Sequence, residues 1–257
     1  MRNIRLILEY EGTNYHGWQT QVRSGKVTIQ EMLEQALSDL AKEPIKTYAS
    51  GRTDAGVHAM GQVVNFRTES SIPAGAWAPA LNHLLPRDIR VLSSDDVNME
   101  FHARHSASGK MYRYSILNRP SQTVLSRNFC WHVTIPLNLR SMRKAATHLI
   151  GTHDFSAFRG SGCSAKSPVR TIRSLVIRKK NESIELWIEA DAFLQYMVRN
   201  IAGTLVDIGL GRIAPAELKK ILLSRDRSHA GRTAPPQGLC LVSVEYDLKK
   251  RRMKKHI

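Results

Sequence analysis

Between Ile4 and Tyr10 apolar and polar residues alternate, and a period of two predicts a strand half-buried on one face. The strand runs into Glu11-Gly12-Thr13-Asn14-Tyr15-His16-Gly17-Trp18-Gln19, a loop rich in turn formers. Ile29, Met32, Leu33, Ala36, Leu37 and Leu40 then recur at helical spacing. Thr28, with Glu31 three residues on, is the capping-box pattern that opens such a helix. Alternation returns from Gln62 to Thr68 as a second strand. A helix over Ala76–Leu85 stops before Pro86, and Ile89–Leu92 reads as a further strand.

The second half repeats this grammar without repeating the words. Strands are predicted over Met111–Leu117 and Cys130–Thr134, and an amphipathic helix over Leu139–Ile150. Arg170–Arg178 and Ser183–Ala190 form a hairpin turned at Lys179-Lys180-Asn181-Glu182. A largely apolar helix covers Gln195–Ile208, a shorter one Pro215–Leu223, and a strand closes over Leu239–Leu248. The pattern predicts an α+β fold of two similar halves, 1–105 and 106–248, with helices packed on a mostly antiparallel sheet. No linker or low-complexity stretch separates them, so one continuous central sheet is expected, with a cleft between the halves.

Charge narrows the class of partner. Lys and Arg total 38 against 22 Asp and Glu, a net charge of +16. Six basic side chains lie in the tail 249–257, and about +10 remains without them. Such an excess favours a polyanionic partner, above all nucleic acid. Three scattered cysteines, Cys130, Cys163 and Cys240, argue against a disulfide framework or a paired CxxC zinc site, and fit a reducing cytoplasm. The apolar stretch at the N-terminus is too short for a signal peptide and no run approaches membrane-spanning length, so a cytoplasmic protein with no membrane partner is expected.

One run sits oddly in so basic a chain: Ser50-Gly51-Arg52-Thr53-Asp54-Ala55-Gly56-Val57-His58-Ala59 frames a single carboxylate between glycines. Asp is common in turns because its side chain bonds nearby backbone, and a lone Asp-x-Gly needs no more explanation than that. Here, however, Arg52, Thr53 and His58 share the loop, and a carboxylate held near a guanidinium stays ionised and oriented. A second run, Phe101 to Tyr114, interleaves cations with aromatics, as where bases stack and phosphates are neutralised; Tyr112 and Tyr114 fall on one strand face and would equally serve as core. In the third, Arg199 interrupts the apolar residues Met197, Val198, Ile201 and Leu205; on the polar face it would simply be solvated, whereas if buried it needs an anionic mate, and Asp54 would suit. Thr233-Ala234-Pro235-Pro236-Gln237-Gly238 delivers Leu239 to the start of a strand, a position that alone is simply core.

Together with Tyr10–Gln19, these stretches closely resemble, in order and over essentially the whole chain, the tRNA pseudouridine synthase A family acting in the anticodon stem-loop; Gly51–His58 is the most specific element. The resemblance implies isomerisation of uridine to pseudouridine at about positions 38 to 40, in a helical stem from which the base must be flipped. It implies Asp54 as catalytic aspartate (nucleophile or base), and Arg52 as holding RNA and filling the space of the flipped base. It further implies Tyr112 as the ring stacked on the target uracil and a possible proton acceptor, Arg199 as the mate of Asp54, and Leu239 as the apolar residue under the base. Thr53, His58 and Lys110 join Arg52 and Leu239 as substrate-binding residues. Glu11 stands where aspartate is common. Neither cofactor nor metal is implied, and the family's homodimer, with an RNA cleft across both subunits, is the expected assembly.

Two other classes stay open on the residues alone. A metal-dependent RNA hydrolase would draw on His58, His102, His105 and His153-Asp154, which lack tight ligand spacing. A non-catalytic tRNA-binding module accounts for the charge and leaves the Asp54 loop without a purpose.

Overall fold

The computed structural model describes residues 1–21 and 25–246, so the basic tail over 249–257 lies outside the described residues. The chain is α+β, with ten strands and five α-helices among the described residues. It divides into two compact units, Met1–Ser108 with the segment from Leu241 onward, and Gly109–Cys240. Sequence order had assigned everything from 106 to 248 to one half. The difference is the last strand, which joins the first unit because a strand belongs with the ladder it completes.

In the first unit β1 (Arg2–Tyr10), β2 (Thr47–Ala49), β3 (His58–Thr68), β4 (Ile89–Val97) and β10 (Leu239–Tyr246, of which Leu241–Tyr246 belong here) run in the order β4-β1-β3-β10, with β2 also paired to β3. The β1–β3, β1–β4 and β2–β3 ladders are antiparallel. Opposed pairs Ile4/Phe66 and Leu6/Val64 build one fully buried face. Helix α1 (Ile29–Ala41) opens on the expected capping box, Thr28 accepting from the Glu31 N–H while the Glu31 carboxylate accepts from the Thr28 N–H. In α2 (Trp77–Leu84) the fully buried Trp77 meets Phe66 edge-on at 5.0 Å. Each such buried apolar side chain stabilises the fold by roughly 1.5–3 kcal/mol.

The other face of this sheet is covered as well. Val63 packs with Phe101 and Ala103, and Ile7, Val97, Val244 and Tyr246 close around them. β3 begins at His58, four residues before its alternation becomes visible, because pattern and burial disagree there: Ala59 and Gly61 are small, and the apolar Met60 is exposed. Two buried asparagines fasten the covering segment. Asn65 donates to Asn3 Oδ1 (2.9 Å) and accepts from the Ala103 N–H (2.8 Å), while Asn3 donates to the carbonyls of Asn98 (2.9 Å) and Phe101 (3.0 Å).

In the second unit β5 (Ala107–Asn118, of which Gly109–Asn118 belong here), β9 (Ser183–Ala190), β8 (Val169–Lys180) and β7 (Gly151–Asp154) follow one another as antiparallel neighbours, and β6 (Trp131–Val133) lies parallel to β5. Tyr114, Ile116, Ile184, Leu186 and Ile188 are buried on one face. The hairpin is tighter than the four residues predicted: Lys180 pairs with Ser183, and Asn181 turns the chain at φ +53°. Helix α3 (Leu139–Ala146) is shorter than expected because its end tightens into a 3-10 turn over Thr147–Leu149. Helix α4 (Met197–Gly209) is buried along most of its length, and α5 (Glu217–Ser224) follows it.

Candidate active site

The Asp54 loop leaves β2 and enters β3, and its shape comes from the loop that follows β1. The Val57 N–H donates to the Asp54 carbonyl (3.1 Å), closing a turn whose third residue, Gly56, takes φ +75°. That is the position at which a type II turn demands a positive φ, which glycine adopts without strain. The Tyr10–Gln19 loop is then pressed onto it. A Cβ on Gly12 would stand 2.1 Å from the Val57 carbonyl oxygen, and one on Gly17 (φ +86°) 2.6 Å from that of Thr53. Only hydrogens at both positions let the two backbones touch. The Trp18 N–H donates to the Thr53 carbonyl (3.0 Å) and the Gly56 N–H to that of Tyr15 (3.3 Å).

Thr53 is buried, its hydroxyl 2.8 Å from the Tyr10 hydroxyl; Arg52 is exposed and Asp54 half-buried. His58 is buried too, its Nδ1 accepting the Gly12 N–H at 3.0 Å. Of the four candidates here, Thr53 and His58 are buried and brace the loop, while Arg52 is exposed and Asp54 half-buried. Ser50 and Gln62 support it further: Ser50 Oγ donates to Gln62 Oε1 (2.7 Å) and Gln62 Nε2 donates to the Gly51 carbonyl (2.8 Å).

The second unit holds Lys110, Tyr112, Arg199 and Leu239. Lys110 and Tyr112 lie on β5; Tyr112 is 7% exposed, and Phe193 meets its ring edge-to-face at 5.1 Å. Tyr114, two residues along the same face, is wholly core. Its hydroxyl donates to the Pro235 carbonyl (2.8 Å), and burial pushes its pKa up. Arg199 is half-buried on α4 and tightly held: its Nε donates to the Ala234 carbonyl (2.8 Å), the Ala234 N–H returns a bond to the Arg199 carbonyl (3.1 Å), and the guanidinium carbon sits 5.0 Å from the centre of the Tyr196 ring. Tyr196 has φ +61°, costly for an aromatic residue, and Gly160 makes room for its ring: a Cβ there would lie 2.5 Å from Tyr196 Cδ2. The helical path therefore begins at Met197 rather than Gln195. Leu239, buried, follows the turn Pro236–Gly238, so one short segment touches Arg199, supports Tyr114 and presents Leu239.

What holds that segment was not apparent as a site in the sequence. Asn200, Thr204 and Asp207 form a buried polar stripe on α4, at spacing i, i+4 and i+7. The Thr233 hydroxyl donates to Asn200 Oδ1 (2.6 Å), the Gly231 N–H to Thr204 Oγ1 (2.9 Å), and Asp207 pairs with Arg212 (3.0 Å) and Arg232 (3.2 Å). Gly203, inside the stripe, lets the strap come so close that a Cβ would stand 1.7 Å from the Arg232 carbonyl oxygen. The signal was present: three polar residues at helical spacing on an otherwise apolar helix.

The remaining histidines have local partners. His102 rests against Tyr48 and His105, and His153 Nε2 lies 2.9 Å from the Ile150 carbonyl oxygen. Among the described residues no group of three or more His, Cys, Asp or Glu side chains is arranged to hold a metal ion, and no helix is long and apolar enough to cross a membrane.

Comparison with known proteins bears on both units. A family model described as tRNA pseudouridine synthase matches residues 6–106 and 145–247. A tRNA pseudouridine synthase A of Thermoanaerobacter sp. (strain X514) is 51% identical over 246 residues, covering 96% of this chain and 100% of that one. Proteins of the same description from Acetivibrio thermocellus and Geotalea uraniireducens are 48% and 45% identical, again over 96% of this chain and 100% of theirs.

Proposed function

Given that the chain belongs to the tRNA pseudouridine synthase family, an isomerase family acting on tRNA, we propose that it converts uridine to pseudouridine in the anticodon stem-loop, at about positions 38 to 40, with Asp54 as the essential group. The observation that carries the reading is the fixed backbone of the Asp54 loop. The close approach of Gly12 and Gly17 and the inward Thr53 set its course, with Arg52 exposed and Asp54 half-buried. A carboxylate on a backbone so held is fixed in position, as a nucleophile or base requires.

The chemistry is an isomerisation: the N1–C1′ bond breaks, a C5–C1′ bond forms, the C5 proton leaves and N1 takes one up. Substrate and product have the same composition, so the reaction needs neither a redox partner nor a group donor. A uridine in a helical stem must first be flipped out, at a cost of a few kcal/mol. Stacking on Tyr112 offsets roughly 1–3 kcal/mol of that, and Leu239 supports the base from its other side. Arg199, immobilised by Ala234 and Tyr196, is the arginine assigned as the mate of Asp54. Asp54 then acts as nucleophile or base on the flipped nucleotide. Arg52 fills the space the base has left, and Lys110 meets the RNA backbone. Thr53 and His58 contribute through the shape of the loop. The acting species is a cytoplasmic homodimer, with one RNA cleft spanning both subunits.

The test is to incubate purified protein with unmodified tRNA and map pseudouridine by position. Wild type should mark the anticodon stem-loop, and Asp54→Asn should make none while still binding tRNA. An Asp54→Asn protein with full activity would overturn the assignment.

A further inference from the structure

The run from Phe101 to Tyr114 holds more rings and cations than the proposed site uses. Phe101 and Ala103 anchor it in the small core over β3, and the residues between and beyond them turn outward. Tyr48, opposite Asn65 in the β2–β3 ladder, is 47% exposed and meets them there. Its ring centre lies 5.1 Å from that of His102, tilted 48°, and His102 lies 4.3 Å from His105, tilted 52°. Three rings thus form one tilted row on the first unit.

The row is prepared in advance. His102 Nδ1 accepts the backbone N–H groups of Arg104 (3.1 Å) and His105 (3.4 Å), so its remaining proton is on Nε2 and the ring is uncharged. Burial and the neighbouring His105 push its pKa down, in agreement with that tautomer. The His102 N–H donates to Ser106 Oγ (3.1 Å) and the Ser106 N–H to the His102 carbonyl (2.9 Å), closing the turn. Beneath, the Asn65–Ala103 bond of 2.8 Å fastens the turn to the sheet. Arg67 and Arg104 are both exposed and both close enough to bear on the charge state of His102.

A row of flat rings open to solvent, with guanidinium groups beside it, matches an unstacked nucleotide, whose base has a π-face and whose phosphates are anionic. An acidic protein surface would use the cations and leave the rings idle. We propose that Tyr48, His102 and His105, with Arg67 and Arg104, form a second tRNA contact, separate from the residues assigned to the target uridine. The rings stack on an unpaired base and the arginines bind its flanking phosphates. This rests on reading the protein as a tRNA-modifying enzyme.

The test is equilibrium binding of full-length protein to unmodified tRNA across a salt series, with melting temperatures as a check on folding. Loss of one stacked base predicts affinity weakened about tenfold in Tyr48→Ala, with Tyr48→Phe within about twofold of wild type. Arg104→Ala should lower the slope of log affinity against log salt by about one phosphate contact, a readout independent of folding at Tyr48. Tyr48→Ala binding like wild type while folded, or an unchanged slope in Arg104→Ala, overturns the proposal. Pseudouridine is assayed separately. Wild type that binds tRNA through Tyr48 without isomerising it would sink the isomerase reading alone; wild type that isomerises tRNA with an affinity indifferent to Tyr48 would sink only the second contact.

Discussion

Replacing Gly203 by alanine turns the packing of the strap on α4 into a measurable quantity. In an ordinary helix interior the change stabilises, by about 1 kcal/mol. Here the new Cβ would stand 1.7 Å from the Arg232 carbonyl oxygen, 2.8 Å from its carbon and 3.2 Å from the Ala234 nitrogen. All three are backbone atoms, so no rotamer change relieves the contact, and the strap must retreat by more than an ångström. Bonds of ordinary length do not survive such a shift. Those at risk are Arg199 Nε to the Ala234 carbonyl (2.8 Å), the Ala234 N–H to the Arg199 carbonyl (3.1 Å), and the Gly231 N–H to Thr204 Oγ1 (2.9 Å). At about 1 kcal/mol each, with strain added and the propensity gain subtracted, the net loss is about 2–4 kcal/mol. Thermal unfolding should then move down by roughly 5–10 °C. Gly209→Ala is the control, since its Cβ would meet the side-chain ends of Met142 (2.8 Å) and Leu137 (3.1 Å), which can swing aside. Because Arg199 loses its hold, kcat for tRNA should fall in Gly203→Ala as well. A Gly203→Ala protein that melts at or above the wild-type temperature would refute the reasoning, because propensity alone would then be deciding the sign.

Two further outcomes follow from the first unit. Asn65→Ala leaves the Ala103 N–H without its acceptor and Asn3 without its donor, and should cost about 2–4 kcal/mol in urea unfolding; a loss under about 1 kcal/mol would mean the asparagine pair does not fasten the covering segment. Because burial and then His105 depress the pKa of His102, the unfolded chain takes up a proton there at higher pH than the folded chain does. Its stabilising contribution is therefore complete above the ordinary value of 6.5 and is lost as pH falls below it. Between about pH 8 and about pH 5.5 wild type should lose stability relative to His102→Gln, and parallel curves would contradict the shift.

The alternating strands and the capped helix were legible because one face of each meets solvent, so pattern and burial coincide. Thr28 with Glu31 shows the clearest agreement, a local rule realised locally. The start of β3 was not legible, since His58 is polar yet buried, Met60 apolar yet exposed, and Ala59 and Gly61 too small to mark a face. Within the site, the Asp54 loop stood out through its glycines, but the glycines that matter most for docking, Gly12 and Gly17, lie some forty residues earlier in the chain. Their purpose depends on which backbone comes to rest on them, which no local pattern encodes. Thr53 and His58 illustrate the same limit: composition marks them as polar loop residues, and only the fold shows that they point inward, to Tyr10 and Gly12. Tyr196 is the extreme case, a left-handed aromatic whose conformation is held by Gly160 and Arg199 rather than by its own preference.

The return of β10 to the first unit gives the molecule an order of assembly on the ribosome. The second unit is one uninterrupted stretch, Gly109–Cys240, and has all its parts once that stretch has emerged. The first is synthesised earlier yet cannot finish, because Val244 and Tyr246 belong to its small core and the Tyr246 hydroxyl donates to the Ala103 carbonyl at 2.7 Å. At ordinary elongation rates the nascent chain waits on the order of ten seconds between Ser108 and those closing residues. Throughout that interval β3, the strand from which the Asp54 loop hangs, keeps part of one edge unpaired, since β2 covers only Val64–Phe66. The part of the protein that carries the carboxylate is thus translated first and completed last.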